Sequence, residues 1–200
     1  MVGIIVLLIL VVLAVVVFHS SSNPPTTSLG TAQTSPQTAT TSTTSSAASY
    51  TAANDGFGVD FPGTPEVTES TFNSPSAGSI PLTEYRVTAA TTPLPQYYTV
   101  YVYHYPSSYT FSSDYLSVAL QAYVEAVSAQ YKGSTLATQA QVQFSGAPAL
   151  TASITIPVEN QSTQDYVLLT THDHNQYIMS TYGVPESDFT AFTNSFAFSQ

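Results

Sequence analysis

The first eighteen residues, Met1 to Phe18, contain nothing but apolar side chains and one glycine. At helical rise this run spans roughly 27 Å, the thickness of a bilayer core, and no polar side chain marks a face that could meet water. The segment therefore reads as a membrane helix. No basic residue precedes it, it is longer than the apolar stretch of a cleavable signal, and Val16-Val17-Phe18-His19 offers no small-x-small cleavage site. These features predict a retained signal anchor over residues 1-18, and the membrane is the first expected partner. No Lys or Arg flanks the run to set orientation by charge.

Residues 19-49 hold 18 Ser or Thr, three prolines, one apolar residue larger than alanine (Leu29) and no charge. Such a stretch buries too little to fold and reads as a disordered Ser/Thr/Pro-rich linker with a typical reach on the order of 30 Å. An anchor followed by such a stalk places its domain outside the cytoplasm, at the surface of the cell membrane. All 14 charged residues lie between Asp55 and Asp188, and periodic patterning begins after Tyr50. Residues 50-200 thus form one extracytoplasmic domain, long enough to enclose a core.

The charge balance narrows the function classes. Twelve Asp or Glu stand against Arg86 and Lys132, for a net charge of −10. Two cations cannot neutralise a run of phosphates, which argues against nucleic-acid partners. Neither G-x-G-x-x-G nor G-x-x-x-x-G-K-[ST] occurs, so no nucleotide or other cofactor is expected. The absence of cysteine removes disulfides, thiolate metal sites and a cysteine nucleophile. Only 7% of residues are charged, and solubility rests on Ser, Thr, Gln, Asn and Tyr. Such a composition also fits a domain working in acidic surroundings, because few charges remain to repel one another after protonation.

Alternation of apolar and polar residues marks the strands. Leu150, Ala152, Ile154, Ile156 and Val158 point one way while Thr151, Ser153 and Thr155 point the other. Thr138, Ala140, Val142 and Phe144 alternate with Gln139, Gln141 and Gln143. Phe57 to Phe61, Leu82 to Val87, Tyr97 to Tyr105, Tyr166 to His172 and Tyr177 to Tyr182 complete seven expected strands. Two helices interrupt them. One runs from a cap at Ser112 or Ser113 to about Tyr131, with Leu116, Leu120, Tyr123 and Val127 as its buried stripe. The other starts at Pro185 and packs Phe189, Phe192 and Phe196. This order predicts an α+β fold, an antiparallel sheet of six or seven strands sandwiched between helices.

Gly56-Phe57-Gly58-Val59-Asp60-Phe61-Pro62-Gly63-Thr64-Pro65, Phe144-Ser145-Gly146-Ala147-Pro148-Ala149 and the closing Phe189 to Phe198 resemble the PsbP-like family of extracytoplasmic bacterial domains, over roughly residues 54 to 200. The resemblance implies an α/β/α sandwich on a signal sequence or membrane anchor, and accessory or binding roles without a shared catalytic motif.

Two features are candidates for chemistry. Tyr97, Tyr101, Tyr103 and Tyr105 share one face of the third expected strand, where a tyrosine row can stack on an envelope glycan or bind a peptide or protein partner; the same row also suits a sheet packed beneath a helix. His172 and His174, two apart, can share a metal with His104 or Asn175 as further ligands; the same residues also suit the tip of a hairpin. The carboxylate pairs Glu66 with Glu69 and Glu186 with Asp188 read as a solvated loop and a helix N-terminus. There is no G-x-S-x-G elbow. The expected function is a non-catalytic, membrane-tethered binding or accessory domain. The alternatives are an envelope hydrolase or metal-dependent enzyme using the His172 to His174 region, and a structural surface protein.

Overall fold

A computed structural model of the chain describes residues 48-74, 76-90, 94-159 and 161-199. The expected anchor and nearly all of the expected linker lie outside the described residues. Among those described, no helix is long and apolar enough to cross a membrane.

Among the described residues, ten strands and two α-helices follow one another. They are β1 (Ala48–Ala52), β2 (Phe57–Phe61), β3 (Glu66–Ser74), β4 (Gly78–Ala90), β5 (Gln96–His104), α1 (Tyr115–Gln130), β6 (Thr135–Phe144), β7 (Ala147–Val158), β8 (Gln161–His172), β9 (Asn175–Tyr182), α2 (Glu186–Ser195) and β10 (Ala197–Phe198). Seven strands form an antiparallel sheet in the order β3-β4-β5-β9-β8-β7-β6. Two meanders, β3 to β5 and β6 to β9, meet where His104 pairs with Asn175 and Tyr97 with Tyr182. The chain leaves β5 at the middle of the sheet, passes through α1, and returns at the outer edge as β6.

One face of this sheet carries α1. Leu120, Tyr123 and Val127 of the helix pack on Leu150, Ala152, Ile154 and Ile156 of β7 and on Val167 and Leu169 of β8. The expected helical stripe and the expected dry face of β7 are thus the two sides of a single contact. The other face carries α2 and a second, three-stranded sheet in the order β1-β2-β10, where Phe57, Val59 and Phe61 interlock with Phe189, Phe192 and Phe196. The result is antiparallel sheets with two helices, as expected in outline.

Four details differ from the sequence reading. Phe57 to Phe61 does alternate inward, but it belongs to the small sheet rather than to the large one. Glu66 and Glu69, read as part of a solvated loop, stand on the edge strand β3; its side chains are exposed on both faces except at Phe72 and Ser74, so it shows no alternation. The expected dry face of β6 is only half-buried at Val142 and Phe144, with Thr138 and Ala140 exposed, because the core packing reaches only the end of this outermost strand. Helix α1 starts after Asp114 rather than at a serine, and no side chain caps its first amides; Ser112 donates to the Asp114 carboxylate at 2.6 Å, which holds that carboxyl below its usual range.

Candidate functional site

Strand alternation decides which side chains of β6, β7 and β8 look toward α2. Thr151 and Ser153, the wet face of β7, do so, and with them Gln164 and Tyr166 of β8. Together with the outer side of α2 they line a groove of about 620 Å³. Apart from Glu186 its polar groups are neutral, the hydroxyls of Thr138, Thr151, Ser153 and Thr190 and the amides of Gln164 and Asn194, and they are set among apolar side chains such as Val142, Phe144 and Leu168. Some are already oriented, since Thr138 and Ser153 hydroxyls lie 2.7 Å apart and Gln164 donates to Thr155 at 3.0 Å. Tyr166 stacks on Phe189 with centroids 5.6 Å apart. Burial, and then the Glu186 carboxylate, raise the Tyr166 phenol, so it remains a neutral hydrogen-bonding group. Glu186 is the single charged residue of the lining.

A groove of this kind offers many weak, directional hydrogen bonds beside aromatic surface and no cation. That chemistry suits an uncharged ligand rich in hydroxyl or amide groups and disfavours an anionic one.

The tyrosine row is placed elsewhere. Tyr101, Tyr103 and Tyr105 are 7%, 4% and 8% exposed and lie in the cluster beneath α1. The Tyr103 ring meets Phe72 edge-on, and Tyr105 is surrounded by Tyr109, Phe111 and Tyr115. Burial raises the Tyr101 and Tyr103 phenols well above their ordinary value. Tyr97 alone of the four is half-buried rather than buried; its ring sits beneath the Arg86 guanidinium, 5.6 Å from centroid to carbon, and beside Tyr182.

His172 ends β8 and Asn175 begins β9, so Asp173 and His174 form the connecting turn, with Asp173 at φ 52°. The His172 ring stacks on Phe198 at 4.1 Å, and the His174 carbonyl accepts the Tyr105 amide at 2.9 Å. Among the described residues, no group of three or more His, Cys, Asp or Glu is spaced to hold a metal ion. His104 and Asn175 are committed to one another at 3.2 Å.

That pair belongs to a network which sequence reading missed. Asp55, in the 3-10 turn after β1, is buried; it accepts the Tyr85 hydroxyl at 2.6 Å and lies 3.5 Å from His104 Nε2. Its backbone carbonyl accepts the Tyr177 hydroxyl, which in turn receives Asn175 Nδ2 at 3.3 Å. Thr83 meets His104 Nε2 at 3.3 Å. Both ring nitrogens of His104 are therefore engaged, and the network joins the small sheet to β4, β5 and β9. Its one signal in the sequence is the Asn54-Asp55-Gly56 turn, and Gly56 does take φ 70°.

No protein-family profile matches the chain, and no curated protein sequence matches it. Among solved structures, the chain is similar to cyanobacterial PsbP from Synechocystis sp. PCC 6803, with a TM-score of 0.55 and 14% identity over 81% of this chain and 98% of that one. A protein of unknown function from Pseudomonas aeruginosa aligns with a TM-score of 0.33 and 10% identity over 70% of this chain and 83% of that one. At 14% identity the likeness to PsbP speaks for the fold alone, and the fold of this chain is PsbP-like.

Proposed function

We propose that this chain is a membrane-tethered, extracytoplasmic binding module without catalytic activity, whose groove between α2 and β6 to β8 takes a neutral, hydroxyl-rich ligand such as an envelope glycan. Residues 1-18 serve as the anchor and residues 19-47 as the stalk, the domain beginning with β1 at Ala48. The observation that carries the ligand class is the groove lining: hydroxyls, amides and the Tyr166 ring, with Glu186 as its single charge. The surplus of acidic over basic residues along the chain points the same way, since it repels anionic polymers.

The test is titration of the full chain, in micelles with an uncharged headgroup, with neutral hexose and N-acetylhexosamine oligomers, followed by tyrosine fluorescence. Saturable binding that Tyr166→Ala weakens about tenfold or more, a loss of roughly 1.4 kcal/mol, is the expected result. If no neutral oligomer saturates, or if Tyr166→Ala leaves the affinity of one that does unchanged, the groove is not the binding site.

A further inference from the structure

The two edges of the seven-stranded sheet are built differently. On β3, Glu66 and Glu69 stand along the edge, and charge of this kind discourages a second strand from adding. Strand β6 has no such guard. It contains no Lys, Glu, Asp or Pro, and the whole stretch from Gly133 to Val158 is uncharged. Its side chains are exposed except for the half-buried Val142 and Phe144.

The hairpin after β6 fixes which of its backbone groups are free. Ser145 and Gly146 both have positive φ, 48° and 81°, as a two-residue hairpin turn of the primed type requires. Phe144 and Ala147, which flank such a turn, therefore exchange hydrogen bonds, and the next pair, Gln143 with Pro148, does not. Pro148 independently demands the same phase, because it has no N–H to give. With period two along the strand, the N–H and C=O groups of Gln139, Gln141 and Gln143 point away from β7. A register shift between Leu136 and Thr138 ends this regular stretch on its other side.

We infer that a second copy of this chain pairs antiparallel on Thr138 to Phe144, about a two-fold axis through Gln141, so that two seven-stranded sheets become one. In this register Gln141 faces Gln141 of the other copy, and Gln139 faces Gln143. Every outward N–H of these residues then meets an outward C=O. The pairing is self-complementary on both faces: side-chain amide meets amide on the α1 side, while Ala140 meets Val142 and Thr138 meets Phe144 on the α2 side. Charge selects this edge as well. All twelve acidic residues lie outside the Gly133 to Val158 stretch, so two copies approach there with the least repulsion.

The absence of cysteine makes the register directly testable in the full chain. Residues facing each other in a hydrogen-bonded pair have Cα atoms about 5.5 Å apart, within the span a disulfide bridges, whereas Gln139 lies about 13 Å along the strand from its own copy. Under mild oxidation in neutral micelles, Gln141→Cys should give a covalent dimer on a non-reducing gel, and so should a mixture of Gln139→Cys with Gln143→Cys. Gln139→Cys alone, and Thr68→Cys on the opposite edge, should stay at the uncross-linked background. Adding Gln141→Lys to both members of the mixed pair, which opposes two ammonium groups at the axis, should reduce its cross-link at least tenfold. Equal cross-linking at Thr68 and Gln141 would mean association through residues 1-18 and would overturn the proposal. Background levels at Gln141 and in the mixture would overturn it too, leaving β6 to a different strand.

Discussion

Tyr123 of α1 donates its hydroxyl to the Asp165 carboxylate of β8 at 2.8 Å, in a place where Asp165 is only 4% exposed. Burial raises the Asp165 carboxyl to about 7, and the Tyr123 bond only partly offsets that. The ionised form is therefore costly in the folded protein. In the unfolded chain this carboxyl ionises near its ordinary value of 3.8. Between those two values the folded state holds a proton that the unfolded state has released, so stability falls as pH rises across that window. A gap of about 3 units corresponds to about 4 kcal/mol. Burial also raises Glu84, despite the opposing pull of Arg86, and this adds to the same trend. Urea unfolding should show greater stability at pH 4.5 than at pH 7.5, and Asp165→Asn should flatten most of the difference. A wild-type curve that climbs with pH would contradict this.

The Asp55 network predicts an asymmetry between two substitutions. Asp55→Ala leaves the buried Tyr85 hydroxyl without its acceptor and should cost about 2 to 4 kcal/mol, whereas Asp55→Asn keeps an acceptor oxygen and should cost clearly less. Chemical denaturation at one pH compares them, and equal losses would show that packing rather than the hydrogen bond holds the two sheets together here.

Phe196 stacks on Phe57 with centroids 5.3 Å apart and an interplanar angle of 10°, and it also touches Phe144 and Tyr177. Phe196→Ala should cost about 3 to 5 kcal/mol through the cavity it opens. Leu136, 42% exposed on β6, should tolerate alanine within about 0.5 kcal/mol. Thermal melts of the two variants make the comparison, and similar losses would place the core incorrectly.

Tyr101 offers its hydroxyl oxygen to the Arg86 guanidinium at 3.2 Å while Glu84 pairs with the same group. Tyr101→Phe should therefore destabilise the fold by about 1 to 3 kcal/mol and leave ligand affinity at the α2 groove unchanged. A variant of wild-type stability with weakened binding would instead return the tyrosine row to the role of a recognition surface.

How far the sequence foretold this depends on what each residue's neighbours are. The stripe Leu116, Leu120, Tyr123 and Val127 and the alternation from Leu150 to Val158 were legible because both strands of evidence are local: one helix face and one strand face, each buried along its length. Glu66–Ser74 was not, since an edge strand exposed on both faces has no reason to alternate. For Tyr97, Tyr101, Tyr103 and Tyr105, periodicity correctly assigned a shared face; what covers that face is α1, and nothing within the strand says so. The groove was hidden for the same reason. Thr151 and Ser153 looked like an ordinary wet face until α2, some forty residues later, supplied its other wall. Asp165 likewise lies in the polar run Gln161 to Asp165, before the expected start of the strand at Tyr166, whereas β8 already begins at Gln161.

The last strand, Ala197 and Phe198, pairs with Gly58 and Phe57, while Ser199 donates to the Gly56 carbonyl. The first core strand is therefore completed only by residues made some 140 positions later. During synthesis, the Phe57, Val59 and Phe61 side chains have no finished pocket until the chain extends as far as residue 198. Without residues 189-198 this aromatic cluster would stand open on the side that Phe189, Phe192 and Phe196 cover.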